Sequence, residues 1–312
     1  MANPNWTAAD LPDLSGKTII VTGANSGIGY EAALEFSRHR AAVILACRSM
    51  EKAGAAVAQI KAAYPDAAVE ATELDLASLG SVRTFADAFK KNHDRLHILC
   101  NNAGVMAIPY RRTADGFEMQ MGTNHFGHFA LTGLLFDRLL ATEDARVVTV
   151  SSGAHRIGSI RFDDLNWEHG YRKWLAYGQS KLANLLFCLE LQRRLEKART
   201  RMISVACHPG YAATNLQAAG PRMAGSSIME SLMAVANSLF AQNAAMGALP
   251  TLYAATSPEV RGGDYIGPAG LGELWGTPAK VGRSSAASDA SAAARLWEVS
   301  ERLTGVHYPA SS

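Results

Sequence analysis

Six short apolar runs alternate along this chain with longer segments in which apolar residues recur at helical spacing. The runs are Thr18–Thr22, Ala42–Cys47, Val69–Leu74, Leu96–Asn101, Val147–Ser151 and Ile203–His208. Such alternation is typical of parallel strands joined by crossover helices. Because the runs have no polar alternate face, helices should cover the sheet on both sides. The sequence therefore predicts an α/β fold built on a doubly wound parallel sheet of about seven strands.

The segments of helical spacing lie between and after these runs, several of them preceded by Ser, Asn or Asp, which commonly cap helices. They are Gly27–His39, Met50–Ala63, Ser78–Lys91, Asp115–Ala141, Tyr171–Lys197 and Asn243–Ala255. No internal repeat or midway linker divides the sequence, so residues 1–312 are predicted to form a single domain. Residues 215–247 are too long for an ordinary connection of about 4–6 residues and are interpreted as an inserted substrate lid.

The composition limits the kinds of partner that this chain can have. The 312 residues are 48% hydrophobic with a formal net charge of +2, which favours a globular protein and argues against a nucleic-acid partner. The sequence has neither a secretory leader pattern nor an uninterrupted apolar run of about 18 residues, so no transmembrane segment is predicted. Its four cysteines form no CxxC pair and sit inside apolar runs, which favours a reducing, cytoplasmic location.

A glycine-rich loop follows the first predicted strand directly and leads into a helical segment. It reads Thr22-Gly23-Ala24-Asn25-Ser26-Gly27-Ile28-Gly29. Gly23 permits a tight turn off the strand, Gly27 lets the backbone approach a pyrophosphate, and Gly29 allows the helix to pack closely on the strand. The free N–H groups at the helix N-terminus would bind the anion. The loop therefore indicates a dinucleotide site.

Two further motifs occur in order behind this loop. They are Asn101-Asn102-Ala103-Gly104 after the fourth run and Tyr177-Gly178-Gln179-Ser180-Lys181 in a helical segment. Together, from about residue 15 to residue 270, the chain resembles the short-chain dehydrogenase/reductase family, which implies a Rossmann-like domain and a nicotinamide cofactor. The 24 residues between Ser152 and Tyr177, and the segment Arg156–Ala176 among them, resemble the branch that contains retinol dehydrogenases, protochlorophyllide reductases and WW-domain oxidoreductases.

The end of the second predicted strand bears on which cofactor is used. No acidic residue stands at this position. Arg48 is suited to pair with the 2′-phosphate of NADP(H), with Lys52 as a second cation, and NAD(H) stays possible. Many NADP-using relatives carry a basic residue where this chain has Ser26, and the less favoured alternative for Arg48 is a plain surface charge. Asp75, which the resemblance implies as a cofactor contact, has the alternative interpretation of a helix cap. The resemblance implies the following cofactor contacts: Gly23, Asn25, Ser26, Gly27, Ile28, Gly29, Arg48, Asp75, Leu76, Asn102, Ala103, Gly104, Tyr177, Lys181, Pro209, Gly210 and Thr214.

Tyr177 and Lys181 lie four residues apart and so share one helix face. An adjacent ammonium should lower the pKa of a tyrosine phenol towards neutrality and make it a general acid/base. The resemblance adds that Ser152, preferred over Ser151 by strand alternation and by the family pattern, hydrogen-bonds the substrate oxygen. It also implies that Lys181 holds the nicotinamide ribose and that Asn124 completes a water-linked proton relay. The predicted catalytic set is Asn124, Ser152, Tyr177 and Lys181.

The expected function is NADP(H)-dependent interconversion of a carbonyl and an alcohol. Residues 228–240 carry an apolar, methionine-containing face, which favours a lipophilic aldehyde, ketone or alcohol, although such a face is often only structural. The alternatives are a catalytically idle NADPH-binding sensor and, less favoured, a reductase of C=C bonds. Nearby histidines have no metal-site spacing, so no metal is predicted. The segments Asp115–Ala141 and Tyr171–Lys197 are apolar on more than one face, which suits a homodimer or tetramer.

Overall fold

The computed structural model describes residues 5–211 and 243–309, and its centre is one sheet of eight strands in the order β3-β2-β1-β4-β5-β6-β7-β8. Strands β1 to β7 pair in parallel, and β8 runs antiparallel to β7 at one edge. The strands are β1 Thr18–Thr22, β2 Ala42–Cys47, β3 Val69–Glu73, β4 Ile98–Asn101, β5 Arg146–Val150, β6 Ile203–Cys207, β7 Tyr265–Pro268 and β8 Pro278–Lys280. The predicted α/β, Rossmann-like fold class is confirmed.

Helices alternate with the strands and cover both faces of the sheet. They are α1 Gly27–Arg38, α2 Met50–Ala63, α3 Leu79–Asn92, α4 Met119–Met121, α5 Gly127–Leu134, α6 Phe136–Leu140, α7 Lys173–Lys197, α8 Ala244–Thr256 and α9 Ala290–Thr304. A π-helical turn, Gly122–Phe126, connects α4 to α5, and a 3₁₀ turn, Gly153–Ile157, follows β5.

Successive residues of β1 show how the two layers are built. Ile19 and Val21 are buried in one core with Phe36 of α1, whereas Ile20 is buried in the other core with Phe85 of α3. Successive side chains of a strand point to opposite faces of the sheet, so a strand covered by a core on each face needs apolar residues at both its odd and its even positions. The edge strand β3 departs from this expectation, because it is covered less well and leaves Glu70 exposed.

The segment Asp115–Ala141 is not the single helix that its spacing predicts. Gly116 has a φ of 85°, which ends any helix there, and Glu118 caps the new start by accepting from the Gln120 and Met121 amides. Beyond α4 the chain widens into the π-helical turn, and at Leu135, where ψ is 4°, it breaks again. A periodicity count registers neither the backbone conformation nor the capping bonds found at these breaks.

The far side of α7 is covered from within the chain by α9 and the segment that follows it. Trp297 stacks against Phe187 with ring centroids 5.8 Å apart, and Tyr308 packs on the other edge of Trp297 at 4.4 Å. Tyr308 also donates from its hydroxyl to the Phe129 carbonyl of α5 at 2.8 Å. Burial of these apolar faces therefore needs no second subunit, which weakens the sequence argument for an oligomer.

Candidate active site

The glycine-rich loop leaves the carboxyl end of β1, at the edge where ligands bind in doubly wound sheets. Gly23 and Gly27 have φ values of 67° and 59°, a conformation that L side chains rarely adopt. A Cβ on Gly23 would also lie 2.9 Å from the Ala103 side chain. A Cβ on Gly29 would collide with the Asn102 amide and the Gly23 carbonyl. Glycine is therefore required at three of the positions that the motif predicts.

Thr22 joins the glycine-rich loop to the loop after β4. Its buried hydroxyl oxygen accepts from the Asn102 and Ala103 amides, both at 2.9 Å. The Asn102 side chain in turn donates to the Thr22 carbonyl at 2.8 Å. The sequence analysis gave Thr22 no role, although a polar residue ending an apolar strand should hold a hydrogen-bonded position.

The N-terminus of α1 has the features of an anion site. Its N-cap residue, Ser26, makes no side-chain capping hydrogen bond, so the first amides of this helix lack the usual partner. Five other α-helices of the described chain are capped by side chains, from Ser49, Ser78, Glu118, Asn243 and Asp289. An uncapped helix start beside a close-approach glycine loop fits the pyrophosphate of a dinucleotide.

The residues predicted to bind the adenosine side lie along the same edge. Arg48 follows β2 directly and is exposed, with Lys52 exposed in the first turn of α2. Asp75 follows β3, where its carboxylate accepts from the Ala77 amide at 2.9 Å. This bond forms a local turn, and Ser78, not Asp75, caps α3. Leu76 is buried at 6% exposure and belongs to the core beneath.

Ser152, Tyr177 and Lys181 converge where β5 ends against α7. The Ser152 hydroxyl lies close enough to the phenol of Tyr177 to lower its pKa, and the Tyr177 ring is 5.8 Å from the Lys181 Nζ. Lys181 donates from Nζ to the Val150 carbonyl at 3.0 Å. Ser151 points elsewhere, because its hydroxyl donates to the Lys181 carbonyl at 2.8 Å. Of the two serines, Ser152 is the one placed beside the phenol.

The expected lowering of the tyrosine pKa is wrong for the protein without cofactor. Burial raises the pKa of Tyr177 to about 12, although the nearby Ser152 hydroxyl opposes this rise. Burial also lowers the pKa of Lys181 to about 8. Both groups are almost fully enclosed, so loss of hydration disfavours the charged form of each. Tyr177 is therefore protonated at neutral pH.

Asn124 lies in the π-helical turn, a feature often found at functional sites. Its side chain is fixed on three sides: it donates to the Val105 carbonyl and to Ser180 Oγ, both at 2.9 Å, and accepts from the Val105 amide at 2.8 Å. The backbone carbonyl oxygen of Asn124 lies 3.0 Å from His128 Nδ1. Asn124 thus holds Val105, the neighbour of Gly104, where an added Cβ would lie 3.6 Å from Lys181 Nζ; its role in a relay stays a prediction.

His128 connects Asn124 to the cofactor loop. Since Nδ1 must donate to the Asn124 carbonyl, Nε2 accepts, and the Thr22 hydroxyl 2.9 Å away is the donor. Burial lowers the pKa of His128 to about 4, so the ring is neutral at pH 7. A second connection that the sequence analysis missed therefore links the catalytic and cofactor-binding segments.

The loop after β6 completes this edge as far as the structure describes it. Gly210 has a φ of 68° and packs against the backbone of Leu274, whose carbonyl accepts from the Tyr211 amide at 2.9 Å. Thr214 and nearly all of the predicted lid, residues 215–247, lie outside the described residues; Asn243 caps α8.

Neither a metal cluster nor a membrane-spanning helix is found in the described ranges. Residues 5–211 and 243–309 contain no group of three or more His, Cys, Asp or Glu side chains able to hold a metal ion. Within the same ranges, no helix combines the length and the apolar character needed to cross a bilayer. All four cysteines are buried and free.

A doubly wound sheet with a glycine loop at β1 and a Ser-Tyr-Lys set at β5 and α7 defines a nicotinamide-dependent oxidoreductase. The chain belongs to the short-chain dehydrogenase family, because the family model described as "short chain dehydrogenase" matches residues 17–224. It is thus an oxidoreductase of a family that uses NAD(H) or NADP(H).

Named relatives agree with the predicted branch. The chain is 43% identical to human retinol dehydrogenase 13 over 297 residues, covering 95% of this chain and 87% of that protein. A crystal structure of a Mycobacterium paratuberculosis protein superposes with a TM-score of 0.81 at 46% identity, covering 98% and 99% of the two chains. A Shigella flexneri short chain dehydrogenase complexed with NADP shares the fold at 23% identity and a TM-score of 0.59, over 82% of this chain and 98% of that one.

Proposed function

We propose that this protein is an NADP(H)-dependent oxidoreductase that interconverts a lipophilic carbonyl compound and its alcohol, with Tyr177 as the general acid/base. The observation that carries the proposal is that Ser152, Tyr177 and Lys181 lie together at the same edge of the sheet as an uncapped helix N-terminus and its glycine loop. The exposed Arg48 at the end of β2 supports NADP(H) over NAD(H), since guanidinium forms strong hydrogen bonds with phosphate.

The chain's own residues account for the proton and for substrate orientation. A phenol with a pKa of about 12 is protonated at neutral pH, so Tyr177 donates its proton to the carbonyl oxygen of the substrate. Ser152 Oγ lies beside the phenol and hydrogen-bonds the same oxygen. The Lys181 ammonium stabilises the phenolate that forms when the proton leaves. The reduced nicotinamide supplies the hydride.

Several large apolar side chains around this edge support a lipophilic substrate. Trp174 is 44% exposed and meets the Tyr177 ring edge-on at 6.2 Å. Ile157, at the end of the 3₁₀ turn that Ser152 begins, is 54% exposed. Leu274 and Trp275, beside the Gly210 loop, are 43% and 45% exposed. An apolar rim of this kind favours an apolar ligand over a sugar or an acyl phosphate.

Replacing Tyr177 by phenylalanine tests the catalytic proposal. The ring and its packing remain but the proton donor is lost, so kcat should fall at least ~10²-fold while NADPH binding stays close to wild type. The two serines provide a matched pair: Ser152→Ala should lose most activity, whereas Ser151→Ala should lose far less. Near-normal turnover in the phenylalanine variant, or equal losses in the two serine variants, would contradict the assigned roles.

The substrate class is tested with a homologous series of straight-chain aldehydes. Each added methylene should stabilise the bound substrate by up to ~0.8 kcal/mol and raise kcat/KM correspondingly, until the apolar site is filled. A flat series, or a preference for small charged carbonyls, would reject the lipophilic assignment. Tight NADPH binding without turnover over a broad panel of carbonyls and alcohols would instead favour the idle sensor.

A further inference from the structure

The side chain of Glu273 lies where the carboxyl ends of three neighbouring strands, β5, β6 and β7, come together. Glu273 ends the 3₁₀ turn Leu271–Glu273, which lies between β7 and β8. One of its carboxylate oxygens, Oε1, accepts from the Arg156 guanidinium at 3.2 Å. The other, Oε2, lies 3.1 Å from His208 Nε2. One carboxylate therefore contacts both the turn that follows β5 and the loop that follows β6.

The contact with Arg156 reaches the turn that carries a proposed catalytic group. Arg156 belongs to the 3₁₀ turn Gly153–Ile157, whose N-cap is Ser152; we call it the Ser152 turn. The Arg156 guanidinium also donates to the Gly282 carbonyl, beyond β8, at 3.1 Å. The Ser152 turn is thus fastened to the chain on both sides of β8.

The contact with His208 reaches the Gly210 loop. His208 Nδ1 accepts from the Gly210 amide at 3.2 Å, and burial lowers the pKa of His208, so the ring is neutral at pH 7 and Nε2 carries its proton. This N–H is not aligned as a hydrogen bond, so its contact with Glu273 is an attraction between a charge and a dipole. Next to Glu273, the Leu274 carbonyl accepts from the Tyr211 amide at 2.9 Å. The segment between β7 and β8 therefore holds the Gly210 loop at two points.

The backbone at Glu273 is a further sign that this side chain is needed. Its φ is 59°, in the left-handed region that favours glycine, and the preceding Gly272 has a φ of 63°. A glutamate in this region is strained, and such strain persists only where the surrounding structure maintains it. Glycine would relieve the strain but would supply no carboxylate.

Building on the proposed function, we propose that Glu273 is a positioning residue, which acts through Arg156 and His208 to hold the Ser152 turn and the Gly210 loop in fixed positions relative to each other. The first of these segments orients the substrate oxygen and the second lies on the nicotinamide side of the site. Hydride transfer requires the two to be aligned, and a misplacement of about 1 Å can lower a rate about 10²-fold.

Glu273→Gln tests this role because it keeps the size of the side chain and removes its charge. With NADPH saturating, kcat for an aldehyde should fall about tenfold, whereas the aldehyde KM and the melting temperature should stay close to wild type. The fall is partial because His155 still donates to the Ser152 carbonyl at 2.7 Å. Stability should change little because the Arg156 and Glu273 side chains are 48% and 25% exposed.

Two further variants separate the side chain from the backbone and from the ion pair. Glu273→Gly relieves the backbone strain, yet it should lose at least as much kcat as Glu273→Gln because the carboxylate is gone. Arg156→Gln should also lower kcat, and combining it with Glu273→Gln should cost little more than Glu273→Gln alone, since the two groups act as one unit.

Asp144→Asn is the matched control. Asp144 also has a left-handed φ, 55°, and it pairs with the Arg201 guanidinium at 3.0 Å. It precedes β5, however, and so lies at the opposite edge of the sheet from the proposed active site. Breaking this pair should leave kcat unchanged.

Hydrogen exchange followed by mass spectrometry gives a readout that needs no turnover. The Gly210 and Tyr211 amides should exchange faster in Glu273→Gln than in wild type, and at the wild-type rate in Asp144→Asn. Unchanged exchange in Glu273→Gln, a wild-type kcat in that variant, or an equal loss of kcat in Asp144→Asn would overturn the positioning role. Faster exchange in Glu273→Gln, together with a wild-type protein that reduces no carbonyl, would support the link between the loops and reject the proposed function instead.

Discussion

Replacing Thr22 by valine should loosen the connection between the cofactor loop and the catalytic segment. Threonine and valine have nearly the same shape, so the strand β1 and its packing survive the change. What disappears is one hydroxyl that accepts from the Asn102 and Ala103 amides and donates to His128 Nε2, each at 2.9 Å. The variant therefore tests the polar network and leaves the core intact.

The size of the effect follows from the groups left behind. Valine would leave two backbone amides and one ring nitrogen without their partner, and a buried unpaired polar group costs about 1–3 kcal/mol. Asn102 and Ala103 are only half-buried, so water recovers part of the loss at their amides. His128 is 1% exposed, and its nitrogen recovers none. Burying the added methyl group offsets about 0.8 kcal/mol, which leaves a net destabilisation of about 2–4 kcal/mol.

Urea denaturation followed by circular dichroism measures this difference, provided that the m-value is unchanged. Thr149 in β5 is the matched control, because it is also 0% exposed but its hydroxyl has no partner within the described chain. Thr149→Val should therefore be neutral or stabilising. NADPH should also bind more weakly to the Thr22 variant only. A loss below about 1 kcal/mol for Thr22→Val, or equal effects in both variants, would refute the network.

Two further predictions concern cofactor choice and pH. Arg48→Asp should reverse a preference for NADPH over NADH worth about 1.5–3 kcal/mol, or about 10- to 150-fold in affinity, as measured by fluorescence titration of both cofactors; Lys52→Gln is the milder control. An unchanged ratio would remove Arg48 from the site. Because the pKa of Lys181 is about 8, kcat/KM for carbonyl reduction should fall as the ammonium is lost above pH 8. A profile that stays flat well into the alkaline range would contradict that role.

The strands were predictable wherever both of their faces are buried. All six predicted runs became strands within about two residues, because a run that must pack against helices on both sides is apolar at every position. The strands β7 and β8 were not identified. They are four and three residues long, and the sequences YIGP and PAK contain glycine or proline in place of an apolar run. Their pairing depends on the neighbouring strand, which local sequence does not encode.

The helix boundaries were less predictable than the strands, because the periodicity of apolar residues contains no information about tertiary contacts. The boundaries of α2 match the prediction, whereas Asp115–Ala141 breaks into pieces around the π-helical turn. Gly127 lies in this region, and its missing side chain is needed because the Leu76 backbone occupies that space. Asn124 is tied to Val105 and Ser180 instead of facing a regular helical neighbour. A count of apolar spacing registers none of these contacts.

Spacing placed Tyr177 and Lys181 together, and the family resemblance added Ser152 and Asn124, but neither predicted the ionisation of these residues. Four-residue spacing correctly places Tyr177 and Lys181 on one side of α7, yet it says nothing about how deeply that side is buried. Both residues are less than 5% exposed, and burial moves the pKa of the phenol up and that of the ammonium down. This burial has a consequence for the proposed reaction. A Tyr177 phenol with a pKa of about 12 gives a proton readily at neutral pH but is slow to accept one, so carbonyl reduction should be favoured at neutral pH and alcohol oxidation should gain as the pH rises.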